Sequence, residues 1–236
     1  KGRPGWHIEC STMSRKFLGD TLDIHGGGND LKFPHHENEI AQSCALNHHT
    51  IANYWLHNAR IDLSGEKMSK SLGNVIWLKD IIEEYPPQAY RLFVLANHYR
   101  QTINYNDELM QKMNNEWEKI EKTYVSLYRK IELIDGDFNG SVLPVMDEYL
   151  NEMAYDFNTA NALSIIYNHL KTINKDLRTK DIDSSILKND FKTLKDMLDI
   201  FGLYVEINPL TSEELTLEYG LKASINSYKS TISYED

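Results

Sequence analysis

The spacing of apolar and polar positions changes once along this chain of 236 residues. Up to about Tyr105 the apolar runs are short and broken by glycine turns at Gly26–Gly28, Ser64-Gly65 and Gly73-Asn74. Leu22 to Ile24 reads as a buried strand that ends in the first of these turns. The run from Phe33 to Leu46 reads as a helix opened by Pro34, where a missing N–H costs nothing. Asn53 to Leu63 reads as a second strand, closed by the polar loop SGEKMSKSLGN at 64–74. Helical stretches follow on both sides of Pro86-Pro87. Strand, glycine turn and helix in alternation predict an α/β architecture.

From about Asp107 the pattern is purely helical. Met113, Trp117, Ile120, Tyr124, Leu127 and Ile131 share one face, recurring at steps of three, four and seven. Asn158 is placed to cap a helix carrying Leu163, Ile166, Leu170 and Ile173. Ile186 to Tyr204 has the same period, with Gly202 as its stop signal. Ser212 could open a last helix. The organisation read from the chain is therefore 1–106 α/β, 107–204 an all-α helical bundle, and 205–236 the start of a further region.

Composition narrows the function classes. Hydrophobic residues at 41% and charged residues at 25% fit a globular protein. No apolar run reaches the roughly 18 residues that would suggest a membrane span. A net charge of −10 argues against indiscriminate binding of polyanions, although local basic patches could still engage a folded RNA. Two cysteines, Cys10 and Cys44, allow at most one disulfide, and a reducing, cytoplasmic setting is expected. The opening KGRPGWHIEC has neither an initiator Met nor a signal-peptide pattern, and reads as the continuation of a longer chain.

Three stretches carry candidate chemistry. His35 and Glu39 stand at i, i+4 on the expected helix and project from one face. With the Cys10 thiolate they form a donor set suited to Zn²⁺. The alternatives are a surface His–Glu pair and a core cysteine. Cys44, five residues past Glu39, lies roughly 140° round the helix and points elsewhere. In the second stretch, Lys67 and Lys70 sit on a loop with glycine ends, where flexible ammonium groups can meet developing phosphate charge. In the third, the glycines of His25-Gly26-Gly27-Gly28-Asn29-Asp30 would let a flat ligand approach, and Asp30 could take ribose hydroxyls. A plain glycine turn is the competing reading. Trp6 would form either an apolar wall beside the cluster or part of the core.

GWHIECS, DIHGGGNDLKFPHHENEIAQS and KMSKSLGN, in that order, resemble the cysteinyl-tRNA synthetase family, of the class I aminoacyl-tRNA synthetases. The likeness continues through His98–Arg100, Tyr105-Asn106 and MAYDFNTANAL at 153–163. The resemblance implies a Rossmann-like class I catalytic core, present here as its second half, followed by a tRNA-binding helical bundle and an incomplete anticodon-binding region. It implies Zn²⁺ on Cys10, His35 and Glu39, with a further cysteine and the HIGH signature in a preceding segment. Lys70 then contacts ATP, with Lys67 beside it. Gly26, Gly27 and Asp30 face the nucleotide, and Trp6 and His25 surround the cysteine substrate. The implied reaction is activation of L-cysteine by ATP, with Mg²⁺, and transfer to tRNA(Cys), by a monomer without membrane association. The chain alone is then expected to be inactive. The weighed rivals are a mycothiol-pathway cysteine ligase, a non-catalytic zinc- or RNA-binding remnant, and a zinc hydrolase, which lacks H-E-x-x-H.

Overall fold

The computed structural model describes residues 2–68, 73–134 and 136–208. Helix α1 (His7–Leu18) leads into strand β1 (Leu22–Gly28), a 3₁₀ turn (Asn29–Leu31), a wide π turn (Lys32–His36) and helix α2 (Glu37–Asn47). Strand β2 (Ala52–Asn58) returns parallel to β1, pairing His25 with Trp55 and Gly27 with His57. A second sheet follows, ordered β4 (Glu66–Lys67), β3 (Ile61–Leu63), β5 (Ile103–Tyr105). Between its strands lie α3 (Leu78–Glu84) and α4 (Pro87–Leu95). Four helices complete the described chain: α5 (Asp107–Ile134), α6 (Val145–Ala154), α7 (Thr159–Asp176) and α8 (Ser184–Phe201).

Four local expectations are corrected. The strand beginning at Leu22 does not stop before the glycines but runs through them to Gly28. It is not buried either. Ile24 and its register partner Tyr54 are 56% and 70% exposed, because nothing among the described residues covers that face of the two-stranded sheet. Helix α2 begins at Glu37, not at Pro34. Phe33, in the extended conformation that a following proline favours, holds the chain out of the helix, and the Phe33–Pro34 peptide is cis. The run 53–63 forms two strands in different sheets. The amide of Ala59 donates to the Tyr99 carbonyl, which draws the chain away from β1 towards β5.

The helical half follows its pattern closely. Trp117, Ile120, Tyr124, Leu127 and Ile131 are buried on α5, while Met110 takes the fully buried place and Met113 stays half-exposed. The Asn158 side chain accepts from the Asn161 amide and caps α7, and Gly202 ends α8 in the left-handed conformation. The core runs without a break from Leu92 and Phe93 on α4, which packs on α5, to Ile166, Leu194 and Met197. Residues up to Tyr204 accordingly form one compact unit. A second unit starts at Val205, and only residues 205–208 of it are described. The helix expected from Ser212 lies outside the described residues.

Candidate metal and nucleotide site

Helix α1 was not foreseen, and it changes the setting of Cys10. Its sequence HIECSTMSRKFL is only weakly amphipathic, with Cys10, Met13 and Phe17 in a sparse apolar line, and it buries no residue fully. Cys10 therefore sits within a helix. Helix α1 packs on α2 and brings Cys10 and His7, three residues apart, towards the start of α2. The Cys10 sulfur, a His35 ring nitrogen and a Glu39 carboxylate oxygen lie within 4.8 Å of one another. Cys44 does not join them and is a half-buried free thiol.

Glu39 is the centre of the cluster and is fully buried. Its Oε2 lies 2.5 Å from Nε2 of His25 on β1. Its Oε1 is 2.8 Å from His35 Nε2 but makes no aligned hydrogen bond, which leaves a buried acceptor unpaired. Nδ1 of His35 lies 2.8 Å from Nδ1 of His7, and the Trp6 ring packs, tilted by 30°, with its centroid 3.9 Å from that of the His35 ring. Burial raises the Cys10 thiol above its ordinary value, and the neighbouring Glu39 charge raises it further. Thiol, imidazole and an orphaned carboxylate oxygen form a donor set that fits Zn²⁺, whose binding would deprotonate the thiol.

A second histidine layer lies beneath. His25, His36 and Glu39 form another group within 4.8 Å, so Glu39 is common to both. His36 Nδ1 is 2.8 Å from His57 Nε2, and Trp55 packs against His25 and His36. Burial is the main cause holding both His36 and His57 below the ordinary histidine value. His7, His36, His57 and Trp55 were missed as site residues. The period-two alternation of Trp55 and His57 was the available signal, since it places them on the β2 face that pairs with His25 and Gly27.

The glycines divide by role. A Cβ on Gly27 would come 2.8 Å from the His36 ring and 3.0 Å from Leu31, so its bareness admits the histidine. A Cβ on Gly28 would meet the Asp30 carboxylate at 2.5 Å. On Gly26 the nearest atom would be the Leu56 carbonyl oxygen at an ordinary 3.6 Å. Asp30 is exposed on its 3₁₀ turn at the end of β1. Lys67 is exposed on β4, opposite Asp62. Its carbonyl accepts from the Asn74 side chain at 3.2 Å, which ties the two ends of the lysine loop together. Lys70 lies outside the described residues.

Comparison with known proteins places this geometry in a family. Residues 1–115 match the family described as tRNA synthetases class I (C) catalytic domain, and residues 148–206 match the DALR domain. Over 221 residues the chain is 46% identical to the cysteine–tRNA ligases of Bacillus thuringiensis (strain Al Hakam) and Bacillus cereus (strain B4264). The chain belongs to the class I aminoacyl-tRNA synthetases. Each of these alignments covers 91% of the chain and 48% of the relative, so the chain spans about half the length of the curated relatives it matches.

The fold agrees. It overlays on the LeuRS of Agrobacterium radiobacter K84, in a ternary complex with tRNA and LeuAMS, with a TM-score of 0.67 at 16% identity. That match covers 83% of this chain and 29% of the other. A methionyl-tRNA synthetase of Mycobacterium tuberculosis gives 0.53 at 19% identity, covering 77% and 40%. At those identities the likeness concerns fold alone.

The helical part of the chain carries one more feature. An open groove of about 830 Å³ runs between α5 and α7. Lys119, Lys122, Lys171, Lys175 and Arg178 line it, against the single carboxylate of Glu116. Among the described residues, Lys122, Lys175 and Arg178 make no ion pair. In a chain of net charge −10 this is a local concentration of positive charge. Among the described residues no helix is long and apolar enough to cross a membrane.

Proposed function

We propose that the protein carrying this chain is a cysteine–tRNA ligase, which activates L-cysteine with ATP and transfers it to tRNA(Cys). The observation that carries the reading is the convergence of Cys10 on α1, His35 in the π turn and Glu39 on α2, with a buried Glu39 oxygen that faces His35 without an aligned hydrogen bond. These three residues would hold a zinc ion. When bound, the ion supplies a borderline-soft Lewis acid that favours a thiolate over a serine hydroxyl, a discrimination that apolar packing alone does not reach.

The chain's own residues supply orientation and charge. His25 fixes one oxygen of Glu39, and Trp6 and His7 fix the His35 ring, so the donors are held before any substrate arrives. Trp6, half-exposed over the cluster, offers an apolar wall to the amino acid. The cysteine carboxylate attacks the α-phosphate of ATP, which is accompanied by Mg²⁺, and cysteinyl-adenylate and pyrophosphate form. Lys67, exposed on β4, and Lys70 offset charge on the leaving pyrophosphate. Gly26 leaves room for the nucleotide, and Asp30 accepts from its ribose hydroxyls. Gly27 acts from behind by seating His36. The 3′-terminal ribose of the tRNA then takes the cysteinyl group, while the cationic groove between α5 and α7 binds the RNA backbone.

Cysteine-dependent ATP–pyrophosphate exchange tests the reading, run on the longest natural form and on the 236-residue chain. Exchange by the long form alone is expected. No exchange by the long form would overturn the assignment. Exchange by the short chain would show that no further segment is needed for activation.

A further inference from the structure

One strained tie joins the catalytic and helical parts, and the reaction chemistry leaves it unused. Asp156 and Phe157, between α6 and α7, both adopt φ of +54°, a left-handed conformation uncommon for non-glycine residues and costly for a bulky aromatic. Strain of this kind persists only where the surroundings over-determine the backbone.

Here the surroundings are His98, Tyr99 and Arg100, which lie between α4 and β5. Tyr99 donates its hydroxyl to Asp156 Oδ1 at 2.7 Å. Arg100 donates Nε to Oδ2 at 2.7 Å and a terminal nitrogen to Oδ1 at 3.1 Å, a bidentate fork on the carboxylate. The Arg100 amide donates to His98 Nδ1 at 3.3 Å. The proton of that ring therefore belongs on Nε2, which lies 2.9 Å from the Asp156 carbonyl. All three side chains thus converge on one residue. Arg100, then Tyr99, hold the Asp156 carboxyl down to about 2, so it stays ionised wherever the protein works.

Each end of the tie is anchored in regular structure. On the catalytic side the Tyr99 carbonyl accepts from Ala59, between β2 and β3. On the helical side Asn158 caps α7, donates to Glu152 of α6, and is followed by Thr159, whose hydroxyl reaches the Asn97 carbonyl. The Tyr99 and Phe157 rings meet nearly at right angles, with centroids 6.4 Å apart.

We propose that Asp156 is a positioning residue, latched by Tyr99 and Arg100, that sets the start of α7 against the catalytic sheets for the step in which tRNA accepts the amino acid. The proposal rests on the ligase reading. Amino-acid activation needs the catalytic part alone. A tRNA that touches both parts needs them in register, and small misplacements of reacting groups cost orders of magnitude in rate.

The test compares variants of the active, full-length ligase in two assays. For Asp156→Ala, kcat/KM for tRNA in aminoacylation is expected to fall by roughly tenfold or more, with pyrophosphate exchange held within about twofold. Asp156→Asn tolerates the left-handed backbone and keeps an acceptor for Tyr99, and should recover part of the loss. Combining Arg100→Ala with Asp156→Ala should add little, because both act through one contact. Equal losses in both assays, or unchanged aminoacylation, would overturn the latch. If Asp156→Ala fails to fold, Asp156→Asn and Arg100→Ala decide it by the same split. Hydrogen exchange is the independent readout. Residues 98–103 and 157–163 should lose protection together while 194–198 keep theirs, and protection unchanged at either segment counts against the latch. A parent enzyme without exchange activity would overturn the ligase reading, and the hydrogen-exchange signature would still judge the latch.

Discussion

Nε2 of His25 on β1 and Oε2 of Glu39 on α2 lie 2.5 Å apart, the closest polar contact in the donor cluster. The pair crosses from sheet to helix and fixes a buried carboxylate that also faces His35. His25→Ala would leave Oε2 unheld in a buried site. Loss of such a supporting partner typically weakens metal affinity by roughly 10–100-fold. Competition with a chromogenic zinc chelator should show that loss, whereas Glu39→Gln removes the anionic charge of the donor and His35→Ala removes a donor outright, and either should reduce bound zinc further. Equal zinc affinity in parent and Glu39→Gln would eliminate the assigned site.

Gly27 and Gly26 are neighbours with opposite tolerances. Gly27→Ala drives a methyl into the His36 ring and should displace it from His57, with a cost of about 1–3 kcal/mol in urea unfolding. Gly26→Ala meets only ordinary contact and should change stability far less. Matching midpoints for Gly27→Ala and the parent would contradict the packing described here.

Asp190, buried where α8 meets α7, gives the helical part a pH signature. Its Oδ2 is unpaired, and burial, helped by Asp176, raises its carboxyl from 3.8 to about 6. A raised carboxylic acid favours the protonated folded state. Its stabilisation is therefore complete below about pH 4 and lost as pH rises to about 6, a change of about 3 kcal/mol to order of magnitude. His169, 3.8 Å away, is pushed down mainly by burial and acts in the opposite sense, destabilising the fold as pH falls below 6.5. Asp190→Asn leaves His169 in place and removes only the first effect. The variant should gain stability over the parent between pH 4 and pH 7 in parallel urea titrations. A constant difference across that range would disprove the assignment.

The cationic groove predicts a salt effect. Replacing Lys122, Lys175 and Arg178 together with Gln should weaken tRNA binding. It should also lower the slope of log affinity against log salt by roughly one for each phosphate contact removed. An unchanged slope would place the RNA elsewhere on the protein.

Much of the helical half was legible because its causes are local. The α5 stripe from Trp117 to Ile131, the Asn158 cap and the Gly202 stop each depend on residues a few positions apart. The His35–Glu39 pair was legible as neighbours four residues apart, although His35 lies in the π turn that precedes α2 and not on the helix itself. Helix α1 was missed, because its apolar line of Cys10, Met13 and Phe17 is sparse and none of it is fully buried.

What the residues determined unaided was the alternation of elements, the capped helical bundle, and a thiol, an imidazole and a carboxylate with the right chemistry for one ion. The tertiary structure decided that His7 and His25 secure these donors, that Gly27 is bare to admit His36, and that Asp156 meets His98, Tyr99 and Arg100. Those contacts join residues 28, 14 and 57 positions apart. No local period encodes such separations. They arise only when α1 packs on α2, α2 brings Glu39 against His25 of β1, and the start of α7 closes against the segment before β5.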